Sequence, residues 1–253
     1  MFVSLVRRFA STFSAALLTF TVSEEVFWSF VRPTDTFSDL LATYLLYSLA
    51  TYCVLWLVGT CRVRDGAQII LVGAFYGWLV EGLFVYTMYG ELPLSISFTG
   101  LAWHCLITIY AALYLFQRNF AEGRGRDNLK LGAAFGTAWG AWAVSWQLEL
   151  GLLPDPIAFS LGALVMCALV FAGHVGLSRA HAGGVFKPSK VEKAVVVCLL
   201  ATFAYFAFLA VGVLLLAVWA PLQVLTAWAL LRGREGREAS FPPLPPPGRL
   251  TPP

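Results

Sequence analysis

Long apolar runs alternate with short clusters of charge, proline and glycine, and their spacing predicts helices able to cross a bilayer. Spanning hydrocarbon takes about 20 mostly apolar residues. Runs of that kind occupy residues 9–31, 40–60, 67–89, 93–116, 131–153, 156–178, 194–212 and 214–231. Breakers separate them: Arg32-Pro33, then Arg62, Arg64 and Asp65, then Gly90, Glu91 and Pro93, then Pro154-Asp155-Pro156. Residues 194–231 carry no charge. A turn near Val211-Gly212, or near Trp219-Ala220-Pro221, divides them into two short spans; without it the count is seven. The expected fold is therefore all-α, a polytopic transmembrane helix bundle of eight spans over residues 1–231. A basic, proline-rich tail, 232–253, follows and is expected to be disordered.

Composition agrees with the pattern. Of 253 residues, 59% are hydrophobic and only 12% charged, with mean hydropathy +0.75. A soluble domain carries about twice that share of charge, and a disordered chain is far less apolar. The net charge of +3 is too small to point to nucleic acid. Where the charges fall matters more. With eight spans, 16 of the 17 Lys and Arg lie on one side, Arg32 being the exception. The positive-inside rule then puts both termini in the cytoplasm of a cell membrane, plasma or bacterial inner. Basic inner loops of this kind meet anionic lipid. Ser23-Glu24-Glu25 is no small-residue cleavage site, so the first run reads as a retained helix rather than a signal peptide. The five cysteines have no metal spacing and read as small apolar fillers.

Ionisable groups within spans are expensive and face the bundle interior or a wet cavity. Glu24, Glu25, Glu81, His104, Glu149 and His174 are such groups. Glu81 precedes Gly90 by nine residues, roughly 14 Å below the outer surface, and His104 follows Pro93 by eleven, roughly 16 Å down. A short outer turn makes their helices antiparallel neighbours, so the two can meet. Gly73, Gly77 and Glu81 share one face, and Ser97, Gly100, His104, Thr108 and Ala111 share another, both suited to close contact. Ser14, Thr21, Glu25, Trp28 and Arg32 form a polar stripe at 100° per residue, which selects Glu25 over Glu24 as the inward acid. Gly132, Gly136 and Gly140 form a ladder for tight packing whose face Gln147 continues. Trp78 and Trp103, with Trp28, Trp142 and Trp146, gather near the outer boundary. His174, roughly 27 Å from that boundary, reads as interfacial.

Glu24-Glu25-Val26-Phe27-Trp28, followed by His104 and His174, resembles the order of motifs in the CAAX-processing type of glutamic intramembrane protease. That resemblance implies an eight-helix bundle. Ser29, Gly100 and Ser178 stand where that family has arginine, phenylalanine and asparagine, so its catalytic roles are not carried onto this chain.

Three functions are consistent with the residues. The first is an intramembrane enzyme of hydrolase or protease type acting on a lipid-like or transmembrane peptide substrate. In it Glu81 is the general base, His104 orients it, Glu25 assists, and Gln147, Trp78 and Trp103 bind substrate. The second is a proton-coupled small-molecule transporter with Glu81 and His104 as the coupling pair. The third is a membrane scaffold or assembly subunit in which the pair only fixes packing. No helix offers paired metal ligands at i, i+4, and no metal or cofactor is expected. Oligomeric state is not encoded in any motif.

Overall fold

The computed structural model describes residues 2–29, 35–149, 155–181 and 185–232, with the side chains of Phe2, Val3, Gln147 and His181 also outside the description. Among the described residues the chain is helical with no strand. Helix α1 covers residues 2–28, α2 Phe37–Cys61, α3 Gly66–Phe84 and α4 Leu94–Ala121. Helix α5 covers Gly125–Glu149, α6 Pro156–His181, α7 Lys190–Val211 and α8 Leu215–Arg232. The tail from residue 233 onward, Arg32 and the Pro154 turn lie outside the described residues.

Six of these helices, α2, α3, α4, α6, α7 and α8, are long and apolar enough to cross a membrane. That fits an integral membrane protein. The expected eight spans are thus met in part. Helix α1 opens with Arg7 and Arg8, and α5 holds charged residues, glycines and tryptophans that lower its apolar character. The outward faces of α6 to α8 carry Leu164, Phe171, Phe206, Leu209 and Val224, each more than half exposed. Water would not tolerate so continuous an apolar surface, and lipid does.

Local signals set the helix ends. Thr36 and Asp39 form a capping box at α2, Asp65 caps α3, and Ser189 with Glu192 forms a second capping box at α7. Each satisfies N–H groups that the first turn leaves without an intrahelical partner. Helices α7 and α8 part at Gly212, whose φ of +61° suits glycine, at the first of the two turns the sequence offered. Pro221 then sits within α8 just after a π turn, Leu215–Trp219, where the ladder is already displaced from the α pattern.

Helix α1 packs between α2 and α6, and α3 packs between α4 and α8. A side chain at Gly77 would strike the backbone carbonyl of Gly100, and one at Gly73 would lie 2.9 Å from the carbonyl oxygen of Cys105. Helices α3 and α4 therefore touch backbone to backbone. Gly173 and Gly176 bring α6 equally close to Ser14 on α1. At the basic end, Arg8 donates from Nε and Nη2 to the two carboxylate oxygens of Glu192, at 2.8 and 2.6 Å, and the Tyr52 hydroxyl donates to the same carboxylate at 3.2 Å. This contact ties α1, α2 and α7 together.

The glycine ladder of α5 does not pack as expected. No atom lies within 4 Å of a side chain built at Gly132, Gly136 or Gly140. Helix α5 is held instead by its tryptophans and by its first turns, where Asn128 donates to the carbonyl of Phe116 at 3.2 Å.

Candidate functional site

The geometry begins with the α3–α4 contact. Gly77 meets Gly100, so Glu81 lies one turn beyond it in one direction and His104 one turn beyond in the other. Side chains lean toward the N-terminus of their own helix. In an antiparallel pair, that lean brings the two together. His104 Nε2 lies 2.6 Å from Glu81 Oε1, with the imidazole 4% and the carboxylate 8% exposed. Convergence comes from this lean more than from the matched depth that residue counting suggests.

Each member of the pair is anchored further. His104 Nδ1 is 3.0 Å from the hydroxyl of Ser23, which donates to Thr108 at 3.0 Å and lies 3.4 Å from the Tyr76 hydroxyl. Thr87 donates to the second carboxylate oxygen of Glu81. Tyr76 packs edge-on to the imidazole, centroids 5.8 Å apart, and Tyr47 flanks it at 6.4 Å. These rings shield the pair from water on the core side, where a hydrogen bond to a charged group is at its strongest.

On its other side the pair borders a cavity of about 670 Å³ at the end of the bundle away from the basic loops. Ser23, Glu24, Tyr47, Glu81, Thr87, Thr99, His104 and Glu149 supply polar groups to its wall, and Phe27, Trp28, Trp103, Trp142 and Trp146 supply rings. Glu24 accepts from Trp28 Nε1 at 3.2 Å and from the Tyr47 hydroxyl at 3.3 Å.

Two expected site residues stand elsewhere. Glu25 is buried but does not line the cavity; Glu24 does. The reason is a π turn, Thr21–Glu25, inside α1. Such a turn closes i→i+5 and holds an extra residue, so a stripe counted at 100° per residue loses its phase there. Trp78 also lies outside the wall: its indole donates to the carbonyl of Ile96 at 3.2 Å and seals the α3–α4 turn. Trp103 does line the cavity, donating to the carbonyl of Val22 at 3.1 Å. The Gln147 side chain lies outside the described residues. His174 is buried far along α6, against Gln117 Oε1 at 2.8 Å and between Phe116 and Phe120, apart from the Glu81 pair.

Sequence reasoning did not single out Ser23, Tyr47, Tyr76 and Thr87, and Thr108 entered it only as a member of the His104 helix face. A hydroxyl in an apolar helix is too common a feature to mark a site by itself. Π winding recurs where the polar groups sit: a π turn, Val80–Phe84, carries Glu81, and a long π-helical stretch, Phe98–Leu115, carries His104. Among the described residues no three of His, Cys, Asp and Glu converge as metal ligands. No family profile, curated protein or solved structure matches the chain.

Proposed function

We propose that this is an integral membrane enzyme of hydrolase type, with an acid–base site in the outer half of the bundle and a lipid-like or transmembrane peptide substrate. The observation that carries this reading is the Glu81–His104 pair, shielded on the core side yet forming part of the wall of a cavity. A carboxylate so placed is a general base. Its Oε1 is held by His104, and its second oxygen, beside Thr87, is the one available to a water in the cavity. Glu81 takes a proton from that water, the oxygen attacks the substrate carbonyl or phosphoryl group, and His104 steadies the proton-loaded carboxylate; the ester or amide bond to the leaving group then breaks, and Glu81 gives the proton to the departing oxygen or nitrogen, which restores the carboxylate. Glu24, in place of Glu25, orients water or substrate from another part of the wall. The eight-span topology, with both termini and the basic loops in the cytoplasm, belongs to the same proposal. It directs the cavity to the outer leaflet.

The test uses the full chain in proteoliposomes, supplied with labelled phospholipids and a fluorogenic transmembrane peptide. Turnover by the unaltered chain, lowered about 100-fold or more in Glu81→Gln, is the expected result. Undiminished turnover in a folded Glu81→Gln protein overturns it.

One observation favours a second reading. Thr108, Ser23, His104, Glu81 and Thr87 form a continuous hydrogen-bonded row, the arrangement a proton-coupled carrier needs. Proton influx into the same vesicles under a pH gradient, abolished by Ser23→Ala without any substrate cleavage, would select the carrier.

A further inference from the structure

The walls of the cavity have a second chemical character that the acid–base pair does not use. Phe27 stands 4.9 Å from Trp103 and 5.6 Å from Trp142, Trp28 stands 5.4 Å from Trp146, and Trp142 stands 5.9 Å from Trp146, centroid to centroid. Their polar edges are already engaged. Trp142 and Trp146 donate to the carbonyl of Phe27 at 2.6 and 3.2 Å, Trp103 donates to that of Val22, and Trp28 to Glu24. Phe27 lies in the last turn of α1, and the two indoles supply donors to its carbonyl at that helix end. An aromatic belt residue turns its N–H to the lipid headgroups; these do not. What remains for an occupant of the cavity is aromatic carbon.

The ionisable groups among the described lining residues are mostly acids. Glu24, Glu81 and Glu149 face a single imidazole, and no Lys or Arg occurs among the described lining residues. Aromatic faces together with carboxylates attract an organic cation, since the ring quadrupole favours a diffuse positive charge and the acids balance it. An inorganic cation would gain little from the rings. A neutral lipid would gain nothing from the acids.

We propose that the cavity binds the alkylammonium group of its ligand, held against Phe27, Trp28, Trp142 and Trp146 and counter-charged by the acids at its mouth, Glu149 foremost. This deepens the proposed function by naming a substrate class. As a statement about binding it also stands where no turnover occurs.

The experiment follows tryptophan fluorescence of the full chain in maltoside micelles during titration with choline, with the uncharged carbon isostere of choline as the control. Saturable quenching by choline and none by the isostere is expected. Trp146→Leu and Glu149→Gln should each weaken choline binding about tenfold, and Trp146→Phe should retain most of it. An equal response to the isostere, or unchanged affinity in both Trp146→Leu and Glu149→Gln, overturns the proposal. A parallel titration with a phosphocholine-headed detergent separates the sources: much tighter binding than choline assigns a lipid headgroup, and equal binding assigns a small soluble cation, each in support. Loss of choline binding with hydrolysis intact removes this inference alone. Binding intact without hydrolysis removes the enzyme reading alone.

Discussion

Glycines at similar spacing do opposite work in this molecule. At Gly77 an added methyl meets a backbone carbonyl, which cannot turn aside as a side chain can. Gly77→Ala is expected to destabilise the bundle by about 1–3 kcal/mol, as overpacking does, and to part Glu81 from His104. At Gly140 nothing lies within 4 Å, so Gly140→Ala should leave stability unchanged or raise it by about 1 kcal/mol or less through helix propensity. Thermal unfolding of the two variants in the same detergent checks both. The sequence shows that small residues permit close approach; it does not show whether a neighbour arrives. Gly73 and Gly77 were readable because a short turn forces α3 and α4 together, whereas no such constraint bears on Gly132, Gly136 and Gly140. The Glu81–His104 contact makes a further residue-level prediction. The two share a 2.6 Å hydrogen bond at largely buried positions, so Glu81→Gln and His104→Gln should be non-additive, with a coupling of about 0.5–3 kcal/mol in a double-mutant cycle. Additive losses would mean that the two groups act on stability separately.

Among the elements, α5 has few neighbours in the bundle. Three indoles attach its outer half to the end of α1: Trp139 donates to the carbonyl of Val26 at 2.9 Å, and Trp142 and Trp146 to that of Phe27. Replacing all three by phenylalanine keeps the rings and removes the donors. Each lost hydrogen bond is worth about 0.5–1.5 kcal/mol. Amide exchange across Gly125–Glu149 should then quicken while that of α3 and α4 stays slow; equal acceleration of all three would show that the indoles support the whole bundle. At this scale, sequence legibility depends on regular winding. The helices, their order and the Gly212 boundary follow from apolar runs and breakers. The facing of α1 did not follow, because Thr21–Glu25 winds as a π turn that no residue in the segment announces. Glu24, with Phe27 and Trp28, lines the cavity where the stripe count selected Glu25.

For the whole molecule, the arrangement of charge is the main fact. Arg8, Arg62, Arg64, Arg124, Lys130 and Lys190 belong to the end of the bundle opposite the cavity. If that end faces the cytoplasm, a cysteine placed at Glu91 should react with an impermeant maleimide added to intact cells, and one at Gly123 only after the cells are opened. The reverse pattern would turn the cavity toward the cytoplasm and remove the outer-leaflet assignment. Membrane class is legible in the sequence because it depends on sums over many residues; the wall of the cavity depends on a few side-chain directions, which sums do not resolve. The contact between Arg8 and Glu192 joins residues 184 positions apart. A ribosome releases the guanidinium 184 residues before the carboxylate that receives it, with helices α2 to α6 made in between. The bundle is therefore latched late: until α7 arrives, the Arg8 guanidinium lacks the carboxylate that holds it. Glu192→Gln is expected to slow the gain of protease resistance in a pulse-chase experiment while leaving the final orientation unchanged.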